Sequence, residues 1–148
     1  PRSCRSLPPS TTSQLQVVAA INAVTKGTFL EQIKRYEEGE YAAEMQPVVE
    51  KLKALRAKYE EMVVRVEALD KECAGYKEFH SRRLVETAGH IIIPFLLARQ
   101  AGECADYADS AKIYCKLAAG KIEEAYSYVM NSPTEDVALF KQVEAETL

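Results

Sequence analysis

His90 is the residue best placed to do chemistry. It closes the run ETAGH, one helical turn after Glu86. An imidazole and a carboxylate one turn apart are the beginning of a metal site or an acid–base pair. A di-iron helical bundle, however, takes Glu-x-x-His pairs from two helices plus further inward Glu residues. Here the spacing is Glu-x-x-x-His, it occurs once, and His80 sits in no matching motif. The plainer reading is a histidine hydrogen-bonded to a neighbouring helix, and no metal ligand is assigned. Two histidines in the whole chain leave little scope for proton transfer near neutral pH.

Other candidate groups lead to the same place. Arg82, Arg83 and Arg99 would suit phosphates, but Glu78 and Glu86 stand beside them and point to a solvated, salt-bridged face. The glycines are isolated, so no phosphate-cradling loop or dinucleotide fingerprint is written here. Tyr107, Tyr114 and Tyr128 fall in one seven-residue register, with Lys121 interrupting it. Such a row reads as core or interface anchors, with hydroxyls reaching water. Cys4, Cys73, Cys104 and Cys115 form no CxxC pair, so reduced thiols in a cytoplasmic protein are the simplest reading. Cys104 and Cys115 are close to three helical turns apart and are predicted to share a helix face. No Ser-His-Asp or Cys-His set can be assembled, so no catalytic, cofactor-binding or metal residue is assigned.

The elements that would carry these residues are helices. The chain has 148 residues, enough for one domain and one core. Gly and Pro are six each, and Ala, Glu, Lys and Leu are abundant, which favours helix. With 19 basic and 22 acidic side chains, the net charge of -3 argues against a nucleic-acid partner. The apolar run from Ile91 to Ala98 is far short of the roughly 20 residues of a membrane span.

Residues 1–13 (PRSCRSLPPSTTS) are predicted to be disordered, and 14–148 to form a single bundle. Val17, Val18, Ile21 and Val24, then Phe29, Leu30, Ile33 and Tyr36, recur at helical steps. Thr28 is predicted to cap the second of these segments, with Glu31 as its reciprocal partner. Glu37 to Glu40 reads as a break. Tyr41, Met45, Val48, Leu52, Leu55, Tyr59, Met62, Val66, Leu69, Cys73 and Tyr76 then follow a strict 4-3 alternation, a heptad seam. The spacing predicts a helix over 46–74, roughly 43 Å long at 1.5 Å per residue.

A third helix is predicted over 77–101, in a new phase set by Leu84, Ala88, Ile91, Phe95 and Ala98. The old phase would have turned Arg83 and Thr87 inward. Pro94 inside it frees the His90 carbonyl, so a kink is expected. A fourth helix is predicted over 104–130, with Cys104, Ala111, Ala118 and Ala125 as a small-residue stripe. Ser132 or Thr134 then caps a short last helix holding Val137, Leu139, Phe140 and Val143. The predicted fold is therefore all-α: an up-and-down antiparallel bundle of three to four long helices plus a short C-terminal one.

Three stretches carry a family resemblance: NAVTKGTFLEQI (22–33), RLVETAGHIIIPFLLARQA (83–101) and YADSAKIYCKLAAGKIEEAYSYV (107–129). Together they resemble the extra C-terminal helical domain of long bacterial acyl-CoA dehydrogenases, over about residues 22–131. The resemblance implies a parent flavoenzyme that holds FAD and oxidises acyl-CoA thioesters between the alpha and beta carbons. A glutamate takes the proton and the flavin takes the hydride. No glutamate of this chain matches the motif carrying that base, so none is carried over. The resemblance implies a non-catalytic domain whose partner is protein: the catalytic body of the same or a sister chain, or another copy in a homo-oligomer. The alternative is a free-standing module that dimerises through the 41–76 seam.

Overall fold

The computed structural model describes residues 26–147 of the chain. The stretch read above as disordered and the helical signal from Ser13 to Val24 lie outside the described residues. Those described form helices α1 (Thr28–Glu37), α2 (Gln46–Glu72), α3 (Tyr76–Gln100), α4 (Asp106–Asn131) and α5 (Glu135–Thr147), with a 3-10 turn at Ala43–Met45 before α2. Among them there is no strand, and no helix is long and apolar enough to cross a membrane.

α2, α3 and α4 pack pairwise into a three-helix core, and α1 lies against α2 and α3. Side-chain partners set the directions. Glu44 meets Lys112, Lys58 meets Glu123, and Arg65 reaches Val129, so α2 and α4 run parallel. Arg83 meets Tyr128 and His90 meets Tyr114, so α3 runs against α4. Glu37 meets Arg56 and Lys34 meets Glu60, so α1 runs against α2.

The heptad seam is the backbone of this core. Met45, Val48, Leu52, Leu55, Tyr59, Met62 and Val66 are all buried, facing α3 and α4. The seam is thus consumed inside the chain, which removes it as a dimerisation surface. Its lower end departs from the expected register. α2 stops at Glu72, Cys73 is extended (φ -135°, ψ 99°), and Tyr76 belongs to α3. Gly75 makes the corner at φ 97°, a left-handed value that a side chain would strain. The Asp70 carboxylate accepts from the Lys77 amide at 3.0 Å and bridges the two helices across this corner.

Other local expectations are also revised. Thr28 is the first helical residue of α1 and not its cap. That position belongs to Gly27 at φ 83°, whose carbonyl accepts from the Glu31 amide at 2.8 Å. Thr87 is buried in α3 next to Ala88, since its hydroxyl is satisfied by the Arg83 carbonyl at 2.7 Å. Pro94 is buried within α3, and the helix continues on both sides of it. Cys104 precedes α4 and is exposed, whereas Cys115 is buried, so the two do not share a face. The buried face of α4 is instead Ala108, Ala111, Cys115, Ala118, Ile122 and Val129. Arg65 of α2 donates to the Val129 and Ser132 carbonyls (3.2 and 3.3 Å), closing the C-terminal end of α4.

Among the described residues, the core strands a hydroxyl of α2 without a partner. The Tyr59 hydroxyl is buried without a hydrogen bond to any described residue, and burial pushes its pKa well above the usual phenol range. Tyr59→Phe deletes that oxygen and leaves the ring in place. The variant is expected to be more stable by about 1 kcal/mol in urea unfolding, because an unsatisfied buried hydroxyl is removed.

Candidate functional site

α3 and α4 enclose a groove of about 290 Å³ on their outer side. Arg83, Glu86 and His90 line it from α3, and Lys121, Glu124 and Tyr128 from α4. The antiparallel packing explains this gathering. Residues 83, 87 and 90 occupy the flank of α3 next to its buried row, and residues 114, 121 and 128 the matching flank of α4.

Arg83, Glu86 and His90 in the groove already have partners. The Arg83 guanidinium lies 4.0 Å over the Tyr128 ring, a cation–π contact. The His90 Nδ1 and the Tyr114 hydroxyl are 3.3 Å apart, and which of them donates depends on the imidazole tautomer. Glu86 accepts from Arg82 at 2.9 Å on the exposed surface. The Glu86–His90 pair therefore does not converge: the carboxylate turns to solvent and the imidazole to α4. Among the described residues, no three of His, Cys, Asp or Glu gather closely enough to hold a metal ion.

The arginines singled out by sequence are dispersed as well. Arg82 is exposed, Arg83 stacks in the groove, and Arg99 stands at the far end of α3 near Tyr41. The tyrosine row is only partly assembled. Tyr114 and Tyr128 flank the groove, while Tyr107 stands at the start of α4, outside its lining. The groove carries no fingerprint of the flavin implied by the resemblance, although Arg83 and Lys121 stand beside its carboxylates. Glu86 and Glu124 would oppose a pyrophosphate, and Gly89 and Gly120 lie inside helices where they form no phosphate-cradling turn.

Sequence reasoning missed His80. It is fully buried, caged by the rings of Tyr76, Phe79 and Tyr128 at centroid distances of 4.7, 4.8 and 5.8 Å. Among the described residues, neither ring nitrogen has a hydrogen-bond partner. Burial lowers its pKa to about 4; Arg83 and Arg65 push it the same way, and Asp136 opposes them. The signal was present in the sequence, since His80 lies one turn before Leu84 and extends the buried row of α3 backwards.

Comparison with known proteins agrees with the geometry. The family described as "Acyl-CoA dehydrogenase C terminal" matches residues 25–137. The crystal structure of the acyl-CoA dehydrogenase family protein from Porphyromonas gingivalis is similar at 28% identity, with a TM-score of 0.71. The match covers 78% of this chain and 98% of that one. No curated protein matches. The family match takes in every helix from α1 to α4 and the start of α5, and the solved neighbour has the same fold, so the chain belongs to the acyl-CoA dehydrogenase C-terminal domain family.

Proposed function

We propose that this chain is a non-catalytic C-terminal domain of an FAD-dependent acyl-CoA dehydrogenase-like protein, and that it packs against the catalytic body through the outer face of α3 and α4. The observation that supports this reading is the apolar surface left open there. Ile113 and Leu117, one turn apart on α4, are 69% and 54% exposed. Ile93 of α3 and Tyr107 of α4 are also exposed, to 42% and 40%. Clustered exposed aliphatic side chains mark interaction surfaces more often than idle ones. On this reading the flavin and the proton-abstracting glutamate belong to the catalytic body, in the same or a sister chain. Free Cys73, Cys104 and Cys115 suit a cytoplasmic protein.

The test combines the chain with a flavin-bearing acyl-CoA dehydrogenase body from the same genome. Purified alone, the chain is expected to be colourless and to give no acyl-CoA-dependent reduction of an electron acceptor. Co-expressed with the body, it is expected to co-purify, and Ile113→Asp/Leu117→Asp is expected to weaken that association at least tenfold while leaving the helical circular dichroism intact. Turnover by the chain alone, or co-purification unchanged by the double substitution, would overturn the reading.

A further inference from the structure

A second groove, of about 430 Å³, runs along the outer side of α2, away from the α3–α4 face. Ala57, Val64 and Ala68 form its floor, and Met130 closes it from the end of α4. Val64 is 62% exposed, more than any other large apolar side chain of α2. The charged groups beside this floor are already engaged. Glu60 pairs with Lys34 and Arg56, Glu61 accepts from the Tyr126 hydroxyl, and Arg65 donates to the carbonyls at the end of α4. The floor calls for apolar cover, and an occupant without charge suits it.

The chain itself supplies such an occupant. Between Ser13 and Thr25, outside the described residues, the sequence has no charged side chain. Val17, Ile21 and Val24 are spaced by four and three residues, which is one face of a helix. Ala57, Val64 and Ala68 lie on the same kind of stripe, spaced by seven and four.

The start of α1 stands where it can deliver this segment. α1 runs against α2, and Lys34 meets Glu60. Thr28 comes six residues earlier, so α1 begins about 9 Å beyond that pair, level with Arg65 to Ala68. Gly27 turns the chain there at φ 83°. Thr25, Lys26 and Gly27 together reach about 10 Å, the separation of packed helices. A helix over 14–24 that folds back on α1 therefore runs parallel to α2, entering the groove at Ala57 and leaving it at Ala68. Such a helix is about 15 Å long, and the floor from Ala57 to Ala68 about 17 Å. We propose that residues 14–24 form this helix and fill the groove, with Ile21 on Val64, Val24 beside Ala68 and Val17 towards Ala57. The contact lies within one chain, on a face separate from the one assigned to the catalytic body, so either reading can fail without the other.

The experiment is hydrogen exchange on the full chain, followed by mass spectrometry. A helix this short is marginal on its own in water, so slowed exchange reports docking. Peptides covering 14–24 are expected to exchange about tenfold more slowly than unstructured chain, at every protein concentration. Val64→Asp and Ile21→Asp are each expected to abolish the slowing, and Val64→Ile to keep it. Melting of the bundle is expected to be nearly unchanged in all three, because so short a helix undocks well below that temperature. Exchange at the unstructured rate in the wild type would sink the proposal. So would slowing that survives either aspartate, or slowing that grows with concentration and so places a second copy on the groove.

Discussion

Leu55→Asp is expected to abolish the cooperative unfolding transition of this protein. Leu55 sits near the middle of α2 and is buried between α3 and α4. Truncating such a leucine costs about 2–5 kcal/mol through lost burial and the cavity left behind. A carboxylate at the same point adds the cost of a buried charge, and the neighbouring seam residues Leu52, Tyr59 and Met62 offer it no cation. The sum reaches the whole stability of a typical domain, about 5–15 kcal/mol. Thermal melting followed by circular dichroism checks it. Val64→Asp is the control: the same helix and the same charge, but a side chain 62% exposed. That variant is expected to melt within the small range of ordinary surface changes, about 0.5 kcal/mol. A folded Leu55→Asp monomer obtained from a wild-type dimer would instead mean that the seam joins two chains.

His80→Phe is expected to stabilise the protein, and to do so more as the pH falls. Phenylalanine keeps an aromatic ring among Tyr76, Phe79 and Tyr128 and removes two buried nitrogens that lack partners. That change alone is worth about 1–3 kcal/mol at pH 7. The pH dependence follows from linkage. In the unfolded chain His80 takes its proton near pH 6.5; in the folded one it waits until about pH 4. Above pH 6.5 the imidazole is neutral in both states and costs nothing by titration. Between 6.5 and 4 the unfolded state binds the proton first, so stability drains away as the pH drops. Below 4 both states are protonated and the loss levels off. The interval of about 2.5 pH units between those values corresponds to about 3 kcal/mol.

The groups around His80 explain the direction. Arg65 on α2 and Arg83 on α3 disfavour a second positive charge, while Asp136 on α5 favours one without prevailing over burial. Urea unfolding of both proteins at pH 7 and pH 4.5 is the measurement. The gap between variant and wild type is expected to widen by about 2–3 kcal/mol at the lower pH. An equal gap at both pH values would show that His80 is not held neutral inside the fold.

Much of this architecture was legible before any coordinates. The 4-3 alternation from Met45 to Val66 named every buried residue of that stretch except Val49, and the phase change after Tyr76 located the corner at Gly75. The ends of α2, α3 and α4 fell within two residues of their expected positions. Periodicity of this kind is carried by neighbours along one helix, so it survives in the linear chain. Cys104 failed because a seven-residue row says nothing about where a helix begins, and Thr28 because a left-handed Gly27 outcompeted a hydroxyl for the cap.

The polar groups were decided across helices. His80 lost its partners to rings of α3 and α4, His90 was claimed by Tyr114, and Arg65 was drawn to the end of a helix 64 residues further on. The same holds for the two faces left open, the apolar flank of α3–α4 and the groove on the outer side of α2, which exist only because three rods pack with a particular handedness and direction. A chain read in one dimension shows which stripe of each helix seeks burial. Which flanks then meet, and which polar atoms are satisfied or stranded between them, depends on contacts between residues far apart in the chain.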